Sequence, residues 1–334
     1  MNSVKKNIVV SRTPYRLCLG GATDLVPYAA QFGGHGLSAT VNRYVTITAH
    51  RRFDERIVFH YALGTEDGTW EEIKHPYVRG VMADVGIRGG LDIVSFTDIP
   101  FASGMGSSGS FTIGLLNALW ALQGVEKSPR DLAEEAAHIE INVLKSPIGK
   151  HDQYLAAFGG ICELVFLRDG SVEVKKIVLS PPEKNQFEDH LLLVYSGMPR
   201  SASAVLSPVF DRAAQQDPDT IQGMHEFREV GERMIARLRR GDLYGFSQDV
   251  NILWDIQKRV FGSSNERLDA LIAEGKNHGA ISALVSGAGG GGFLFFFCPD
   301  GEAKKRVSAA LAAMGAPTHP FSFSEEGSKI IFSE

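Results

Sequence analysis

An α+β fold in two domains is what this sequence predicts, and three observations carry that expectation. Strand-like and helix-like periodicities come in runs of their own kind rather than in strict βαβ alternation. The length of 334 residues is about twice that of an ordinary single domain. A boundary signal at Ser180-Pro181-Pro182 divides the chain into residues 1–185 and 186–334.

Taken in order, Val45 to His50, Glu55 to Tyr61 and Leu91 to Phe96 have the length and apolar content of strands. Ser107 to Leu122 is apolar all round, as a buried helix would be. Ser128-Pro129-Arg130-Asp131 supplies an N-cap, a proline at the first helical position and an acid two residues on. The helix it starts is predicted over 129–144, with Leu132, Ala136, Ile139 and Val143 on one stripe. Ile161 to Leu167 and Val172 to Val178 make a hairpin around Asp169-Gly170. His190 to Tyr195 is an apolar strand, and Asp217-Pro218 opens a helix reaching Arg239. Tyr244 to Val260, Glu266 to Gly275 and Glu302 to Met314 also read as helices. Ala283 to Val285 and Phe293 to Phe297 are strands on either side of a glycine run.

Composition removes several classes of function. A net charge of −5 gives no reason to expect nucleic acid. No apolar run approaches the roughly 18 residues of a membrane span. Met1 to Val10 carries Lys5 and Lys6 but no apolar core, so it does not read as a secretory signal. Cys18, Cys162 and Cys298 are odd in number and far apart. They argue for a reduced, cytoplasmic setting and against a zinc or disulfide framework.

The chemistry concentrates in Pro100 to Ser110, where a glycine-rich turn joins a strand to a helix N-terminus. Such a turn offers free N–H groups and a positive dipole end to an anion, so it reads as a phosphate cradle. The P-loop pattern is absent, since Gly149-Lys150 is followed by His151. The dinucleotide pattern is matched by Gly104, Gly106 and Gly109, and again by Gly287, Gly289 and Gly292. The second copy precedes a strand. After the first, the helix leads into another helix rather than a strand ending in an acid, so the dinucleotide reading fails.

Four further groups stand out. Glu140 borders an apolar stripe, where a carboxylate must be paired with a base, hydrogen-bonded or bound to a metal such as Mg²⁺. Asp152 follows the loop Ser146-Pro147-Ile148-Gly149-Lys150-His151. It reads either as an N-cap or as an acceptor for the proton of an attacking hydroxyl. Thr23-Asp24, after Gly20-Gly21, suits an Asx turn or a carboxylate for sugar hydroxyls. Arg16 lies on an apolar strand and needs an acidic partner. The Gly33-Gly34-His35-Gly36 segment reads as a structural turn.

Together these segments resemble the GHMP kinases. The family motif Pro-x-x-x-Gly-Leu-Gly-Ser-Ser-Ala is matched by Pro100, Gly104, Gly106, Ser107 and Ser108, with Met105 and Gly109 as departures. The family's other two motifs correspond to Arg16 to Asp24 and to Ser286 to Phe293. Within the family the chain is similar to bacterial heptose 7-phosphate kinases. They share Gly20-Gly21-Ala22-Thr23-Asp24-Leu25, Gly149-Lys150-His151-Asp152-Gln153-Tyr154 and Gly197-Met198-Pro199-Arg200-Ser201, with His151 where glutamine is expected. The resemblance implies a ribosomal-protein-S5-like N-terminal domain and a ferredoxin-like C-terminal domain with the site between them. It implies ATP, with its phosphates on Ser103, Gly104, Gly106, Ser107, Ser108 and Gly109, and Mg²⁺ on Glu140 and Ser107. Asp152 and Arg16 are then the catalytic pair. Asp24, Thr23, Gly289, Gly290 and Arg200 hold a sugar phosphate, with Lys150 and His35 as further candidates for its own phosphate. The implied reaction is phosphorylation of the anomeric hydroxyl of a heptose 7-phosphate, with a kinase of a fucose- or galactose-like sugar on the same fold, or a non-catalytic sensor of ATP and sugar, as the alternatives. The expected partner is a small sugar phosphate, with no nucleic acid, no membrane and a possible homodimer.

Overall fold

The computed structural model describes residues 5–334. The chain opens with β1 (Ile8–Gly20), α1 (Val26–Phe32) and the long β2 (Gly34–Arg51). The hairpin β3 (Ile57–Tyr61) and β4 (Gly64–Gly68), α2 (Pro76–Val85), β5 (Leu91–Thr97) and α3 (Ser107–Leu122) follow. Next come α4 (Pro129–Ala137), a π-helical turn (His138–Val143), α5 (His151–Phe158) and the hairpin β6 (Ile161–Phe166) and β7 (Val172–Lys176). The remainder begins with α6 (Pro181–His190), β8 (Leu191–Tyr195), α7 (Ala202–Ala214), α8 (Pro218–Arg239), α9 (Leu243–Phe261) and α10 (Glu266–Asn277). It closes with β9 (Ser282–Val285), β10 (Phe293–Phe297), α11 (Gly301–Ala313), β11 (Thr318–His319) and β12 (Lys329–Ser333).

Two sheets organise these elements, in agreement with the α+β expectation. The first has eight strands in the order β12-β1-β2-β5-β3-β4, with β6 pairing β2 and β7 pairing β6. Strand β2 is long enough to serve both flanks: Gly34 to Ala39 face β6, and Val45 to Arg51 face β5. The Gly33–Gly36 segment is therefore the entry to a central strand rather than a free-standing turn. The second sheet is antiparallel, in the order β11-β8-β10-β9, and its strand β10 (Phe-Leu-Phe-Phe-Phe) is buried throughout. The cut expected at 185/186 is crossed by β12, which returns to pair with β1 in the first sheet.

At the expected boundary, Ser180 and Glu183 form a capping box and the prolines begin α6. Two local expectations change. The helix expected over 129–144 keeps its capping box of Ser128 and Asp131 but leaves α geometry at His138. The wider π turn lets Ile139 and Glu140 both face inward, so Val143, expected on the buried stripe, is exposed. Asp152 is not an N-cap, because it lies inside the first turn of α5, behind Lys150 and His151. Its carboxylate is thus not spent on capping.

Candidate active site

The glycine-rich turn lies between β5 and α3 and touches both sheets. Gly106 caps α3 in the left-handed region, φ 75°. A side chain there would meet Arg16 at 3.0 Å and Asp152 at 3.4 Å, so glycine is required for the helix to start this close to them. The first helical bond closes from the Ser110 N–H to the Gly106 carbonyl, which leaves the preceding amides at the helix mouth. The turn is stitched to the second sheet by the Phe293 N–H on the Ser103 carbonyl, 2.8 Å, and by Ser286 Oγ on the Gly104 carbonyl, 3.1 Å.

Beside it, Arg16 on β1 and Asp152 on α5 form a two-pronged ion pair. Nε donates to Oδ1 at 2.8 Å and Nη2 to Oδ2 at 3.0 Å, while Nη1 donates to the Gly104 carbonyl at 2.5 Å. The sequence required an acid for Arg16, and this is it. Burial alone would raise the Asp152 pKa. The Arg16 charge and the His151 contact outweigh it and hold the carboxyl well below its usual range. His151 Nδ1 lies 3.1 Å from Asp152 Oδ1 and its Nε2 lies 2.9 Å from Ser38 Oγ. Because an ionised carboxylate only accepts, the Nδ1 nitrogen carries a proton toward Asp152. The His151 backbone N–H donates to Asp24 Oδ2 at 2.8 Å, which ties the Asp24 loop to the start of α5.

Arg16, Asp24, His151 and Asp152 line one cavity with Ser108, Arg200, Gly287 and Ala288, and its far wall is apolar: Leu206, Phe227, Leu253 and Phe261. Glu140 sits behind the phosphate turn, fully buried. Gln153 Nε2 donates to its Oε1 at 2.9 Å, and its Oε2 has no partner. Burial pushes its pKa up to about 7, against the hydrogen bond from Gln153. Ser103 Oγ and Ser107 Oγ are likewise buried without partners.

Other expected contacts fall elsewhere. The Thr23 hydroxyl is tied to the backbone of His35, so it shapes the loop that presents Asp24 and does not itself line the cavity. Gly289 and Gly290 face Ser263 and Val205, and the Gly290 N–H donates to the Ser263 carbonyl; Gly287 and Ala288 line the cavity in their place. His35 is held by Glu163 at 2.9 Å, and Lys150 by Glu134 at 2.6 Å. Sequence reasoning missed Ser38 and Tyr77. Tyr77 faces Glu140, Ser108 and Ser146, and burial with the Glu140 charge pushes its phenol up to about 12. Nothing in the spacing of either residue marked it.

Comparison with known proteins agrees with this geometry. The GHMP kinases N terminal domain matches residues 74–160 and the GHMP kinases C terminal domain matches residues 234–317. A D-glycero-alpha-D-manno-heptose 7-phosphate kinase of Campylobacter jejuni is 28% identical, over 96% of this chain and 97% of its own length. A galactokinase of Pyrococcus furiosus is 24% identical over 83% of this chain and 87% of its own. Among solved structures, a D-glycero-D-manno-heptose 1-phosphate kinase from Bacteroides thetaiotaomicron superposes with a TM-score of 0.81 at 24% identity, covering 97% of this chain and 99% of that one. The two matched domains take in the phosphate turn, the Arg16 partner Asp152 and the second glycine run, and the chain belongs to the GHMP kinase family.

Proposed function

We propose that this chain is a Mg²⁺-ATP-dependent sugar kinase that phosphorylates the anomeric hydroxyl of a D-glycero-D-manno-heptose 7-phosphate. The observation that carries the reading is one cavity lined by Ser108 at the mouth of α3, by the Arg16–Asp152 pair and by Asp24. Phosphoryl transfer asks mainly for positioning and charge stabilisation, which side chains held by paired hydrogen bonds supply. The substrate class draws on the likeness to the heptose phosphate kinases.

The residues present fit a magnesium ion. Glu140 Oε2 and Ser107 Oγ are buried and unpartnered, and no group of three or more His, Cys, Asp or Glu side chains among the described residues could hold a metal alone. Magnesium typically takes one or two carboxylates and completes its shell with phosphate oxygens and water. Bound there, it would neutralise charge on the nucleotide phosphates. Asp152 accepts a hydrogen bond from the acceptor hydroxyl and aims it. Its depressed pKa makes it a weak base, and an anomeric hydroxyl is acidic enough for that to suffice. Asp24 binds a neighbouring sugar hydroxyl.

Asp152→Asn tests the reading. Turnover should fall by roughly 10²-fold or more while ATP binding survives. Near-wild-type turnover would remove Asp152 from the reacting centre.

A further inference from the structure

Arg200 is the cavity's one cation whose side chain has no protein partner among the described residues. Its backbone N–H donates to the Ala102 carbonyl at 3.0 Å, and its stem passes over Gly290 and Gly291. The guanidinium ends above Gly287, whose φ of 71° keeps that position free of a side chain. A carbon placed at Gly287 would lie 3.2 Å from Arg200 Nη2, 3.3 Å from Arg16 Nη2 and 2.9 Å from the Gly104 carbonyl. Both guanidinium groups and the phosphate turn thus converge on one point. Arg16 is committed there, to Asp152 and to Gly104. Arg200 is not, because its Nε and Nη1 are buried with no hydrogen-bond partner. A guanidinium with two buried, unpartnered nitrogens calls for an anion that can take both. Burial and the nearby Arg16 lower its pKa to about 10, which leaves it charged at neutral pH.

The geometry points to Arg200 as a catalytic residue that grips the phosphoryl group during transfer, not the acceptor's own distal phosphate. This rests on the kinase reading above. In the step, the bond from the γ-phosphorus to the β-bridging oxygen breaks and its electron pair leaves with ADP. The acceptor oxygen supplies the pair for the new P–O bond, and its proton passes by way of Asp152 to solvent. Negative charge spreads over the equatorial oxygens between donor and acceptor, where a planar guanidinium with spare N–H groups stabilises it. The apolar far wall of Leu206, Phe227, Leu253 and Phe261 offers no cation that could substitute, and Lys150 and His35 are engaged elsewhere.

The test is steady-state kinetics of Arg200→Met and Arg200→Lys with heptose 7-phosphate and with free heptose, each variant first checked for wild-type thermal melting. Affinities for Mg²⁺-ATP and for Mg²⁺-ADP with aluminium fluoride, a mimic of the flattened phosphoryl, are measured alongside. Arg200→Met should lower kcat by about 10²-fold, the usual loss when one charge-stabilising donor is removed. The fall should be alike for both acceptors, with little change in the KM for heptose 7-phosphate. Binding of the ADP–fluoride complex should weaken while ATP binding holds. Arg200→Lys should keep the fold and recover only part of kcat, since a point charge replaces a fork. A KM raised for heptose 7-phosphate alone, with kcat and fluoride-complex binding intact, would overturn the assignment and give Arg200 to the distal phosphate. If wild type turns over neither acceptor, the kinase reading fails, and the fluoride-complex affinities still decide the role of Arg200.

Discussion

At the scale of single residues, His151 makes several contacts of the site. It stands where glutamine is expected, yet it joins Ser38, Asp152 and Asp24 by side chain and backbone at once. Glutamine could keep a donor toward Asp152, whereas leucine would keep only the bulk. His151→Gln should therefore retain activity within about tenfold and His151→Leu should lose substantially more, read as kcat with ATP affinity unchanged. Equal activity in the two variants would show that the ring does not position Asp152. The Arg16–Asp152 pair is legible in outline from the chain alone, because a guanidinium on an apolar strand demands an acid. Ser38 and Tyr77 are not. A serine on β2 and a tyrosine in α2 carry no spacing signal, and only the fold brings them to His151 and Glu140.

At the scale of elements, the legible parts are those with local chemistry. Ser128 with Asp131, and Asp217 with Pro218, mark helix starts by capping, and both helices begin there. The π turn is invisible in the sequence, since it changes which residues face inward without changing composition. Its consequence is a fully buried Glu140 whose carboxyl prefers its proton. The sign of the resulting pH effect follows from that preference. An acid with a raised native pKa favours folding in its protonated form, so metal-free protein loses stability as pH rises from the ordinary glutamate range toward about 7. The loss is of the order of 3 kcal/mol at most. Melting in the presence of a chelator should fall over that window, and Glu140→Gln should flatten the fall while abolishing the stabilisation given by Mg²⁺-ATP. A variant that melts with the wild-type pH slope would contradict this account of Glu140.

The whole molecule is held together by contacts between its two sheets. The Cys18 N–H donates to Ser286 Oγ at 3.2 Å, and Ser286, Phe293 and Arg200 reach the turn at 102–104 from the second sheet's side. The phosphate turn is thus shared property of both sheets. The first sheet is completed from the far end of the chain, since β12 covers the edge of β1 from Val9↔Ser333 to Arg12↔Lys329. That closure is not legible in the sequence, because Lys329 to Ser333 is too short to announce a partner more than 300 residues away. Deleting residues 329–334 should lower the melting temperature by at least about 5 °C and expose a strand edge prone to association. An unchanged melting temperature would show that β12 is dispensable.

The central claim, a kinase acting on the anomeric hydroxyl of a heptose 7-phosphate, is tested most directly by ADP release with Mg²⁺-ATP against heptose 7-phosphate, free heptose, mannose, fucose, galactose and mevalonate. The account predicts turnover with heptose 7-phosphate well above every other acceptor, with loss of the free anomeric hydroxyl in the product. Preferred turnover of an unphosphorylated sugar or of mevalonate would contradict it.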